Sequence, residues 1–127
     1  MDSRSVLIVD DDPVHRTIVF HMLRAAGYSP ESVEDGVDAL EALKWKDYLV
    51  IILDLMMDVV GGDRLLDHLE QTRPGLMNRI IVLTGIPNAR ERLAGRPVFD
   101  VLEKPFKQQT LLEAVARCAE ANQGGGG

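Results

Sequence analysis

The sequence predicts one α/β domain, a doubly wound (βα)5 fold around a five-stranded parallel sheet. Short β-branched runs alternate with longer stretches of helical period, the pattern of βαβ units with helices on both faces. One run, residues 49–53, shows no polar alternation and reads as a central strand buried on both sides. A chain of 127 residues, 46% hydrophobic and 27% charged, has room and apolar content for one core and none for a second folded module.

The first strand is Val6-Leu7-Ile8-Val9. After it, Asp12 suits a helix N-cap and Pro13 the first helical position, and Val14, Ile18 and Met22 recur as an apolar stripe until Gly27 stops the helix. Residues 28–33 make a weaker strand, suited to a sheet edge by Pro30, and lead through Asp35-Gly36 into a helix carrying Val37, Leu40 and Leu43. The central strand follows and delivers Asp54 at its carboxyl end. A loop with Gly61-Gly62 precedes a third helix with Leu65, Leu66 and Leu69, closed around Arg73-Pro74-Gly75. Residues 79–83 form a fourth strand that ends at Thr84-Gly85. Asn88 with Glu91 three places on resembles a capping box for a short helix that Gly95 and Pro97 end early. The fifth strand, residues 98–102, runs into Glu103-Lys104-Pro105-Phe106, and the last helix turns Leu111, Val115, Cys118 and Ala119 inward. The domain is expected to span residues 1–122, with residues 123–127 a flexible Gly-rich tail.

Fourteen Lys and Arg against twenty Asp and Glu leave a net charge of −6, a field that repels nucleic-acid phosphate and argues against direct DNA or RNA binding. The lone Cys118 cannot form an internal disulfide and is expected to be core. No signal peptide is visible, and the longest apolar run is far short of the ~20 residues of a membrane helix, so no membrane association and a cytoplasmic location are expected. His15, His21 and His68 show no metal-ligand spacing and are expected at the surface or its boundary.

In an open parallel sheet the ligand site lies outside the carboxyl ends of the strands. There the sequence places Asp10, Asp11 and Asp12, then Asp54, Thr84 and Lys104. Carboxylates gathered in one cleft repel and imply a cation. Oxygen donors with no nearby His or Cys point to a hard ion, Mg²⁺ above all. A hydroxyl and a lysine opposite a carboxylate and Mg²⁺ form a clamp for a transferring phosphoryl group, with the carboxylate in the middle as acceptor. Asp54, directly after five apolar residues, has little structural reason to be there otherwise.

The pieces Leu7-Ile8-Val9-Asp10-Asp11-Asp12-Pro13, Ile52-Leu53-Asp54-Leu55-Met56-Met57, Val82-Leu83-Thr84-Gly85 and Glu103-Lys104-Pro105-Phe106 together resemble the receiver domain of two-component response regulators, over residues 4–122. The resemblance implies a flavodoxin-like fold, with Asp54 as phosphoacceptor. Asp11 and Asp54 would be direct Mg²⁺ ligands, with Asp10 assisting through water and the backbone carbonyl of Met56 as a further ligand. Thr84 would be the switch hydroxyl, Lys104 the ammonium that pairs with the phosphoryl group, and the Lys104-Pro105 bond cis. The implied partners are a histidine kinase or a histidine phosphotransfer domain upstream and an effector downstream, with a homodimer a further option. Such a domain is a switch, not an enzyme, although it would weakly catalyse its own phosphorylation and dephosphorylation.

Two positions depart from the family's pattern: Asp58 stands where a proline is common, and Val101 where an aromatic switch residue is common. Two other readings compete. Asp10-Asp11-Asp12-Pro13-Val14 also resembles the nucleophile motif of haloacid dehalogenase-type phosphohydrolases, with Asp10 as nucleophile, but that leaves Asp54 without a task. A pseudo-receiver that docks without taking phosphate is opposed by the intact set of Asp10, Asp11, Asp54, Thr84 and Lys104.

Overall fold

The structure, a computed structural model, describes residues 4–56 and 62–123. Five strands, β1 (Ser5–Val9), β2 (Ser29–Val33), β3 (Val50–Asp54), β4 (Ile80–Thr84) and β5 (Asp100–Glu103), form one parallel sheet in the order β2-β1-β3-β4-β5. The chain winds outward in both directions from β1 and β3, so the topological switch point lies between them, where such sheets bind ligands. Register aligns the strand ends, with Val9 beside Leu53, Asp54 beside Leu83 and Thr84 beside Glu103. β2 lies at the edge, where its Pro30 removes no ladder bond that the sheet needs.

Alternation along the inner strands divides the core in two. Leu7, Val9, Ile51, Leu53, Ile80 and Val82 face one side and pack against α2 (Gly36–Trp45) and α3 (Gly62–Thr72). Val6, Ile8, Val50, Ile52, Ile81 and Leu83 face the other and pack against α1 (Pro13–Ala25) and α5 (Gln108–Gln123). Every residue of β1, β3 and β4 is buried, as a parallel sheet covered on both faces requires. Cys118 lies in the second core, and burial pushes its thiol up to about 12.

The caps at Asp12 and Asp35 form as expected. Asp12 accepts from the amides of Val14 and His15, and Asp35 from that of Asp38. Four local expectations fail. Of the stripe Val14, Ile18, Met22 only Met22 packs against the core: Val14 and Ile18 are 68% and 53% exposed, and Val19 and Leu23 are the buried residues. On α2, Val37 is exposed while Ala39 and Leu43 are buried. Asn88 adopts a left-handed conformation (φ 60°) and its side chain makes no capping bond, so the capping box does not form; α4 (Ala89–Arg92) is a single turn. Beyond Arg73 the chain continues as a 3-10 helix, Pro74–Arg79, so Arg79 precedes the fourth strand that it was expected to begin. Helix α5 includes Gln123, one residue past the expected end of the domain.

Candidate functional site

Three carboxyl strand ends converge at the switch point. β1 hands over to Asp10, 1% exposed, whose amide donates to Val33 O at 3.2 Å. β3 ends at Asp54, 3% exposed, with its two oxygens differently engaged: Oδ1 accepts from the Met56 amide and Oδ2 from Lys104 Nζ, both at 2.8 Å. Lys104 reaches it because β5 ends beside β4, its amide donating to Thr84 O at 2.7 Å, and the Lys104-Pro105 bond is cis as the resemblance implied. Two residues 50 apart in sequence thus form an ion pair in which only the lysine has appreciable contact with solvent.

Asp10 is held by two groups. Its Oδ1 accepts from the Asp12 amide at 2.9 Å, and Oδ2 contacts Nδ1 of His15. Arg16 Nη1 donates to the Asp10 carbonyl at 2.7 Å. Burial raises the Asp10 carboxyl above its ordinary value; His15 and the Asp12 amide oppose this, and the charge of Asp54 adds to it. Donor atoms of Asp10, His15 and Asp54 lie within 4.8 Å of one another, so a cation would relieve the crowding of two buried carboxylates, of which Asp54 alone pairs with Lys104.

Thr84, fully buried, turns its Oγ1 back to accept from the Ile86 amide at 3.0 Å, while the Gly85 amide lies 3.3 Å from Met56 Sδ. Close packing under the site demands Gly62, where a Cβ would stand 2.5 Å from the Asp54 carbonyl oxygen.

The expected site residues are therefore not all equivalent. Asp10, Asp54 and Lys104 come together; Thr84 lies at the next strand end; Met56 is exposed at the rim; Asp11 is half-buried and outside the close trio. Val101 is buried in the core with Val82 and Ala89. Asp58 and residues 124–127 lie outside the described residues. His15 was not expected here, and the absence of nitrogen donors inferred from sequence is corrected by it. Its one signal is position: the first turn of a helix that starts at the carboxyl end of β1 folds back over that end.

Comparison with known proteins agrees with this geometry. The chain is 36% identical over 109 residues to the response regulator MprA of Mycobacterium sp. (strain KMS), covering 84% of this chain and 46% of that protein. It is 30% identical over 112 residues to the transcriptional regulatory protein GlrR of Escherichia coli (strain K12), covering 87% of this chain and 25% of that protein. The chain thus spans less than half the length of these relatives. Among solved structures it is similar to the receiver domain of a sensor histidine kinase from Pseudomonas aeruginosa PAO1 with a magnesium ion in its active-site cleft (TM-score 0.80, 29% identity, 92% of this chain and 98% of that one). It is also similar to the response regulator TrrA of Thermotoga maritima in complex with Mg²⁺-BeF (TM-score 0.79, 26% identity, 91% and 98%). No helix among the described residues is long and apolar enough to cross a membrane. The response regulator receiver domain family matches residues 6–116, a stretch that contains all three converging strand ends, and to that family this chain belongs.

Proposed function

We propose that this domain takes a phosphoryl group from a phosphohistidine donor onto Asp54 with Mg²⁺ in the cleft, and passes the change to a downstream effector. The observation that carries the reading is the environment of Asp54: a carboxylate at the end of the central strand, paired to Lys104 at 2.8 Å, with Asp10 beside it. A carboxylate oxygen of Asp54 attacks phosphorus, the phosphorus–nitrogen bond of the donor breaks, and the electron pair leaves with the imidazole. Lys104 then has a phosphoryl oxygen to pair with, and the Thr84 hydroxyl a second to which it can donate. Mg²⁺ would be held by Asp10, Asp11, Asp54 and the Met56 carbonyl, and would supply charge neutralisation for the transferring group. Donors are a histidine kinase or histidine phosphotransfer domain; weak self-catalysed phosphorylation and dephosphorylation, a cytoplasmic location, and an ordered domain followed by a Gly-rich tail belong to the same reading.

Intact mass after incubation with acetyl phosphate and Mg²⁺ should rise by one phosphoryl group, and Asp54→Asn should abolish the gain. Labelling that survives in Asp54→Asn and disappears in Asp10→Asn would transfer the acceptor role to Asp10 and favour the phosphohydrolase reading.

A further inference from the structure

We propose that His15 is a nitrogen ligand in this cleft, so that the site takes first-row transition ions such as Co²⁺ through a mixed nitrogen and oxygen donor set as well as Mg²⁺ through oxygen. The inference rests on the reading of the cleft as a cation site and adds a residue and a metal class to it. Two observations carry it. The His15 ring nitrogen Nδ1 faces Asp10 Oδ2 in direct contact, so the nitrogen, and not the ring edge, is turned to the carboxylate. The donor atoms of Asp10, His15 and Asp54 all lie within 4.8 Å of one another. Donors on one ion at about 2.1 Å stand about 3 Å apart when adjacent and about 4.2 Å when opposite, so small side-chain movements bring the trio onto one ion.

The ring is also fixed from outside the cleft. The backbone at His15 is held by the Asp12 cap at 3.3 Å, and the imidazole packs edge-on to Phe106 with centroids 6.2 Å apart. Its side chain is 24% exposed, which leaves an approach from solvent.

Metal preference follows from donor type. Mg²⁺ is a hard ion that gains little from an imidazole, whereas affinity for nitrogen rises steeply along the first row from Mn²⁺ to Cu²⁺. An all-oxygen cleft and this one therefore separate in the ratio of Co²⁺ to Mg²⁺ affinity. That ratio should fall about tenfold or more when the nitrogen is removed.

Calorimetric titration with Co²⁺ and Mg²⁺ separately, on the wild type, His15→Phe and Asp54→Asn, tests this. Phenylalanine keeps a ring against Phe106 and has no nitrogen. The Co²⁺ to Mg²⁺ ratio is expected to fall in His15→Phe. Nitrogen-14 modulation in the pulsed EPR of the Mn²⁺-loaded wild type is expected to be present and to vanish in that variant. An unchanged ratio, no nitrogen coupling in the wild type, or coupling that persists in His15→Phe would overturn the assignment. Loss of Mg²⁺ binding in Asp54→Asn together with any of those results would overturn the His15 ligand alone. Unaltered Mg²⁺ and Co²⁺ binding in Asp54→Asn would overturn the cation cleft itself.

Discussion

Tyr48 shows how one side chain outside the cleft sets a pH limit. Its hydroxyl donates to Glu31 at 3.1 Å, and burial, followed by that carboxylate, pushes the phenol up from 10.0 to about 12. The folded protein holds this proton more tightly than the unfolded chain does, so the stabilisation is complete below pH about 10 and is lost as pH rises towards about 12. Denaturant unfolding of wild type and Tyr48→Phe across that window should show the wild type losing on the order of 2 kcal/mol relative to the variant. A constant difference between the two would mean that the phenol keeps its ordinary value.

At the scale of elements, the start of α3 lies close against the end of β3. A Cβ at Gly62 would meet two backbone atoms, the Asp54 carbonyl oxygen and Leu55 Cα, each at 2.5 Å, and neither can swing aside as a side chain does. Gly62→Ala should destabilise the domain by roughly 1–3 kcal/mol in denaturant unfolding and slow labelling of Asp54 by acetyl phosphate, because relief of the clash moves the residue that bears the acceptor. The segment after β4 is the complementary case. Thr84 Oγ1 now accepts from the Ile86 amide, a bond that is lost if the hydroxyl turns to a phosphoryl group, and the neighbouring Gly85 is exposed. Val101 is buried and has no ring to swing into space vacated by Thr84. Beryllofluoride loading should therefore shift the amide resonances of residues 85–88 while Val101 changes little. Large shifts confined to Val101 and its sheet neighbours would contradict this mode of switching.

Over the whole molecule, two cores on either side of one sheet carry stability, and the cleft at the strand ends works against it. Asp10 and Asp54 are both buried; Asp54 pairs with the Lys104 ammonium, and Asp10 with His15. An ion that binds only the folded state adds stability by mass action, about 2.7 kcal/mol at 100 times its dissociation constant. Mg²⁺ should raise the melting temperature in a saturable way. Asp10→Asn, which removes one buried charge, should melt higher than the wild type in chelator and gain less from Mg²⁺. A variant that melts lower in chelator would show that the bonds to His15 and the Asp12 amide outweigh the charge.

Composition and periodicity were enough for the five strands, their order along the chain and the polar residues at the ends of four of them. Runs such as Ile51-Ile52-Leu53 are too apolar for anything but burial on both faces, and a carboxylate that follows them is conspicuous. The inward faces of α3 and α5 were legible too, with Leu65, Leu66 and Leu69 and with Leu111, Val115, Cys118 and Ala119, but the side of α1 that faces the sheet was not. Helix α1 carries two stripes at the same spacing, Val14 with Ile18 and Val19 with Leu23; periodicity ranks them equally, and only the docking of α1 on β1 and β3 selected the second. The failed cap at Asn88 has a similar origin, since the chain must turn there from β4 into a single-turn helix and takes a left-handed residue to do so. Asp54 and Lys104 were already readable as parts of one clamp, but their direct bond and the entry of His15 into the cleft came from tertiary packing. Those contacts depend on strand register and on the rotation of the first turn of α1, which are settled by packing between elements and not by the local sequence.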